Sequence, residues 1–204
     1  MAQIRRVVYT DLPGQAGQVR GKGDELNKQL HVIFDSVNNM RKDWFGQRYN
    51  DLVMAFNGLV RDFNAIVELM YTTLPSTLET IANNYSRADR GMDITKVDNS
   101  LANKLVDIPL STEVGMRFNT AEVEVVKQKC NSCFAEVLEF LNQSQTLITN
   151  LSWESEAGDK FREEFQKLKN RITTSIEQIK DQFDKSVVQT LADMQGTENA
   201  NTVS

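Results

Sequence analysis

From Leu52 onward the apolar residues fall at 52, 56, 59, 63, 66, 70, 74, 78, 81 and 85. Steps of three and four mark one face of a helix and approach a heptad seam. Ahead of them, Leu26, Leu30, Ile33, Val37, Met40 and Trp44 keep the same step. The pattern predicts helices over roughly 24–43 and 47–88, joined by a turn at Trp44-Phe45-Gly46. Gly46 is expected to supply the left-handed residue that commonly ends a helix. Pro75 removes one backbone donor, so a kink is expected there without a stop, because the apolar phase runs through it.

A second pair follows. Val123, Val126, Cys130, Cys133, Val137, Phe140, Ile148 and Leu151 form one stripe; Phe161, Phe165, Leu168, Ile172, Ile176, Ile179, Phe183, Val187 and Leu191 form another. Between them stands "LSWESEAG", again with a tryptophan at the break. Setting Trp153 on Trp44 pairs Phe161 with Leu52, Phe165 with Phe56, Ile172 with Phe63 and Leu191 with Ala82, a constant shift of 109 residues. The chain is therefore an internal repeat of two helical hairpins.

A lone hairpin leaves its stripe in water. Two pressed together give the expected architecture: all-α, two long helical hairpins in an antiparallel four-helix bundle. Residues 90–112 are long enough to run the length of such a bundle, which an antiparallel docking requires. Ile94, Val97, Leu101, Leu105 and Val106 are expected to pin that strap to the surface. The boundaries read as a flexible segment 1–23, carrying Gly14, Gly17, Gly21 and Gly23; a first hairpin 24–89; a strap 90–110; a second hairpin 111–196; and a flexible tail 197–204.

Composition narrows the function. A net charge of −5 argues against a nucleic-acid binder, which would carry a basic stripe. No run approaches the roughly 18 apolar residues of a membrane span, so no stable insertion is expected. The N-terminus has no secretory apolar core, so no cleavable signal peptide is expected. Neither a phosphate-binding glycine loop nor a nucleophile elbow occurs. The absence of Glu-x-x-His excludes the di-iron bundle. His31, the single histidine, reads as a helix-face residue, and Cys130 and Cys133 as small core hydrophobes. No catalytic residue, metal or cofactor is expected, and the chain reads as a non-enzyme.

A hairpin of about 100 residues with Trp-x-Gly in its turn resembles the WXG family of early-secreted-antigen-like type VII secretion proteins. The first unit carries the motif intact as Trp44, Phe45 and Gly46; the second keeps Trp153 but has Ser155 where glycine belongs, with Gly158 three residues on. The resemblance covers residues 20–90 and 111–196 and looks like two family members fused, one chain playing both halves of the usual dimer. The family's tail signal, Tyr-x-x-x-Asp/Glu, has its counterpart in Tyr85 and Asp89, just past the first hairpin's second helix. The matching positions of the second unit are Met194 and Glu198, so the signal occurs once.

The resemblance implies a protein exported folded from a Gram-positive-type bacterium, as substrate or export partner in virulence or inter-bacterial interaction. It implies recognition by the membrane ATPase of that system and co-exported proteins as possible partners. The chain is expected to be a monomer, cytoplasmic before export and secreted after it. In an antiparallel bundle Tyr85 and Asp89 should approach Trp153 and form a composite export signal, with the tryptophan half packed and half open to a partner. Two other classes compete: a membrane-active helical toxin, and an intracellular helical adaptor or chaperone.

Overall fold

The computed structural model describes residues 6–201. The protein is all-α: helix accounts for 76% of the described residues, and strand is confined to a few of them. The elements run α1 (Leu12–Asn39), a 3-10 turn Met40–Lys42, β1 (Trp44–Phe45), α2 (Gln47–Asn57), α3 (Val60–Glu68), a π turn Leu69–Thr73, α4 (Leu74–Arg90), β2 (Arg117–Phe118), α5 (Thr120–Thr149) and α6 (Glu156–Asn201).

The first helix corrects the sequence reading. Residues 12–23, expected to be flexible, are the first three turns of α1. Leu12, Ala16, Val19 and Gly23 are buried and extend the stripe of Leu26, Leu30 and Ile33 back by half a helix. The glycine content does not break it, because burial of that stripe outweighs a propensity loss of about 1 kcal/mol per glycine. Pro13 sits in the first turn, where its missing N–H costs nothing.

The long second run is not one kinked helix. It is interrupted at Gly58-Leu59, and the five residues before α4 widen into the π turn. Pro75 explains the second break. In an α-helix the N–H of residue 75 would donate to the Tyr71 carbonyl; proline has none, and its ring would press on that group. The freed Tyr71 carbonyl instead accepts from Arg20 Nε at 3.2 Å. Helix α1 comes so close to this turn that a Cβ on Gly23 would stand 2.9 Å from the Tyr71 nitrogen.

Packed neighbours run antiparallel. Along α1 and α5, Gln15 meets Ser152, Lys22 lies over the Phe140 ring, and the Asp43 carbonyl accepts from Asn119 N–H. Along α2–α4 and α6, Arg48 pairs with Asp193 and Arg171 with Asp62. Asp62 and Arg171 are 109 positions apart, the repeat shift itself.

Segment 91–116 has no regular structure apart from bends and lies along α1–α4, held by side chains of that hairpin. Its buried apolar residues are Leu105 and Ile108; Leu101 and Val106, expected to pin it, point into solvent, and Ile94 and Val97 are half-buried. Helix α5 starts at Thr120, so the connection is longer than the expected 90–110. Helix α6 runs past 196 to Asn201, which makes residues 197–201 helical; 202–204 lie outside the described residues, as do 1–5.

Candidate functional site

Each tryptophan sits in a turn that is closed by the other half of the chain. Trp44 pairs with Phe118, in the segment leading into α5, and Trp153 pairs with Val7, in the segment leading into α1. Val8 N–H donates to the Ser152 carbonyl at 3.0 Å and Glu154 N–H to the Arg6 carbonyl at 2.9 Å. The β-branched run Val7-Val8 suits this short extended pairing.

The two turns differ in detail. Gly46 does not end α1; it precedes α2 with φ 119° and ψ −175°, a region open in practice to glycine alone. Phe45 adjoins it beside Gly115. Ser155 does another job: its hydroxyl accepts from Gly158 N–H at 3.0 Å, capping the start of α6. Gly158 then allows close approach, since a Cβ there would lie 2.7 Å from the Trp153 carbonyl and 3.3 Å from its indole.

Both indoles are interior. Trp44 is 1% exposed among Tyr49, Phe118 and Phe183, and Trp153 is 4% exposed against Phe161. The expected half-open tryptophan is therefore corrected: the leading segments add a layer over each turn and cover the ring. Trp153 offers no face to a partner.

Tyr85 and Asp89 are exposed on the last two turns of α4, at the Trp153 end of the molecule. What joins them to that end is Tyr9. Its ring stacks on Tyr85 with centroids 6.5 Å apart and planes 9° from parallel, and its hydroxyl donates to the Asp89 carboxylate. The Arg90 guanidinium lies 5.8 Å from the Tyr9 ring centre and 3.5 Å from the Asp89 carboxylate. The bond to Asp89 holds the Tyr9 phenol above its usual pKa. Tyr85, Asp89 and Tyr9 thus form one surface patch, while Trp153 supports it from beneath Val7. Sequence reading missed Tyr9 and Arg90. The signal was the β-prone run 7–10 ahead of Asp11 and Pro13, a helix start that carries Tyr9 with it.

Beside this patch is a polar cleft of about 520 Å³ between Arg6, Asp11, Glu154 and Arg162. Arg162 closes the end of α5 by donating to the carbonyls of Ile148, Leu151 and Trp153. At the other end, a cleft of about 490 Å³ is bordered by Phe45, Met116 and Asp193. No family model, curated protein or solved structure matches the chain.

Cys130 and Cys133 are both free and buried; burial pushes the Cys130 thiol up to about 12 and raises that of Cys133. A protonated thiol is neither a nucleophile nor a metal ligand. His31 places Nε2 3.1 Å from the Asn103 carbonyl on the strap. Among the described residues, no three His, Cys, Asp or Glu side chains gather to hold a metal, and no helix is long and apolar enough to cross a membrane.

Proposed function

We propose that this chain is a tandem WXG-type protein, a non-enzymatic substrate or export partner of a type VII secretion system, exported folded as a monomer. In this reading its two hairpins form an antiparallel four-helix bundle, an intramolecular version of a two-chain dimer. The contact of Asp62 with its own repeat-equivalent Arg171 supports that symmetry. So does the crossed closure of the two tryptophan turns by Val7 and Phe118.

The observation that carries the functional part is the exposed Tyr85–Asp89 pair at the end of α4. Nothing of the kind stands at the opposite end, where the corresponding positions are Met194 and Glu198. The surface offered to the secretion ATPase is Tyr85 and Asp89, with Tyr9 and Arg90 beside them. Aromatic rings and an arginine grouped in this way are typical anchors of protein interfaces. Trp153 acts by holding the leading segment in place.

Secretion from a host with an active type VII system tests the reading. Tyr85→Ala should remain in the cells while melting within about 2 °C of the native chain, since an exposed site changes stability by at most about 0.5 kcal/mol. Trp153→Ala is not a clean probe: truncating a buried tryptophan costs about 3–5 kcal/mol and disturbs the fold itself. Secretion of Tyr85→Ala at the native level would remove the export signal from this surface.

A further inference from the structure

The strap is held by a ladder of asparagines. Asn50, Asn57 and Asn64 are spaced seven residues apart on α2 and α3. Each makes the same two-point bond to one strap residue. Asn64 Nδ2 donates to the Leu105 carbonyl at 3.0 Å and its Oδ1 accepts from Leu105 N–H at 2.9 Å. Asn57 does the same with Ile108 at 2.9 and 2.8 Å, and Asn50 with Ser111 at 3.1 and 2.8 Å. Further along, Asn83 repeats the contact with Thr95 at 2.9 and 3.1 Å.

The spacings fit a general rule. Seven helical residues advance about 10.5 Å, and three residues of extended chain advance about 9–10 Å. A heptad row of asparagines therefore meets every third residue of an antiparallel extended chain. An amide side chain sets an N–H donor beside a carbonyl acceptor, the complement of one residue's own C=O and N–H. The ladder reads backbone, which every sequence supplies. Selectivity comes chiefly from two side chains: Leu105 and Ile108 are 4% and 5% exposed, whereas Leu101, Val106 and Leu110 are 74%, 76% and 46% exposed.

We propose that this face of α1–α4 is an extended-peptide binding groove. Its ligand class is an extended segment with bulky aliphatic residues at positions i and i+3, and the strap is its resident ligand in cis. Such a groove joins a strand-like peptide through main-chain bonds and takes specificity from pockets for alternate side chains. Two features let the strap exchange. It is flanked by Gly91 and Gly115, both at positive φ (74° and 109°), which serve as hinges. It also contributes only two deeply buried side chains, so it opens at lower cost than the helices beneath it. This site is independent of the export reading: its Leu105–Ser111 stretch lies along α2 and α3, while only the Asn83–Thr95 contact stands near the Tyr85 patch.

The test uses the full chain with Leu105→Ser and Ile108→Ser, which weakens the cis ligand, and a labelled synthetic peptide of residues 99–113 as probe. Fluorescence anisotropy should show saturable binding to this variant. The native chain should bind at least tenfold more weakly, because its tethered strap competes at an effective concentration on the order of millimolar. Adding Asn57→Ala and Asn64→Ala should weaken the variant's binding at least tenfold. A folded variant that takes no peptide overturns the proposal, and so does binding indifferent to the asparagines. Should circular dichroism show the variant unfolded, hydrogen exchange of the native chain decides. The amides of Leu105, Ile108 and Ser111 should exchange together and at least tenfold faster than those of Leu30 and Phe56. Exchange of all five only through global unfolding overturns it.

Discussion

Alanine at Gly23 and at Gly21 should shift stability in opposite directions, although the two glycines lie two residues apart on one helix. In a helix interior, replacing glycine by alanine gains up to about 1 kcal/mol by limiting the unfolded chain. Gly21 is exposed with nothing within 4 Å of a new Cβ, so Gly21→Ala should gain about 0.5–1 kcal/mol. At Gly23 the same atom would stand 2.9 Å from the Tyr71 nitrogen, 3.1 Å from the Met70 carbonyl carbon and 3.1 Å from the Met70 Cβ. Two of these are main-chain atoms of the π turn, which Pro75 and the Arg20–Tyr71 bond hold in place. Relief requires α1 to back away, an overpacking cost of about 1–3 kcal/mol that cancels or exceeds the propensity gain. The two variants should thus differ by about 2 kcal/mol, or about 4–8 °C in Tm for a chain of this size. Thermal and urea unfolding followed by circular dichroism at 222 nm would measure it. If Gly23→Ala melts with Gly21→Ala, the close approach of α1 to the π turn is wrong; if both are neutral, residues 12–23 are not a packed helix.

Arg171→Asp should cost at most about 1 kcal/mol, because Arg171 is half exposed, and adding Asp62→Arg should recover much of it; a double-mutant cycle with no coupling would remove the contact between these two positions. Cys130 should resist iodoacetamide at pH 8 in the folded chain, its thiol being held up near 12 by burial, and fast labelling without loss of structure would contradict that burial. Tyr49→Phe removes the bond to the Val37 carbonyl at 3.1 Å and should cost about 0.5–1.5 kcal/mol near neutral pH. Burial raises the Tyr49 phenol from 10.0 to about 12, so its share of stability is complete below pH 10 and fades as pH climbs towards 12. Tyr49→Phe should therefore lose less stability than the native chain between pH 10 and 12, and identical slopes would refute the shift.

Four helical stripes were legible because helical period is a local property: a side chain three or four positions away shares a face whatever else the chain does. The 109-residue repeat was legible for the same reason. Gly46, Ser155 and Pro75 could be flagged as special, but Gly46 was expected to end a helix and instead precedes α2. Whether a glycine ends one helix or begins the next depends on how the chain leaves the turn, and at Gly46 that is set by Gly115 and Met116 from a distant segment. The Asn50–Asn57–Asn64 row was in plain view as a heptad of polar residues. Its role was not legible, because its partner, the strap, returns from 41–61 positions further along.

What the sequence determined by itself is the all-α class, the two hairpins and the isolation of Tyr85–Asp89 at one helix end. Each follows from periodicity, breakers and residue identity within a few turns of chain. Only the tertiary structure decided that residues 12–23 are helix, that both tryptophans are covered, and that Tyr9 completes the exposed patch. These outcomes depend on surfaces more than 70 residues apart in sequence: α4 beside Tyr9, Val7 beside Trp153, Phe118 beside Trp44. Burial against such a surface is worth several times the local preference it overrides, which is why four glycines did not stop a helix.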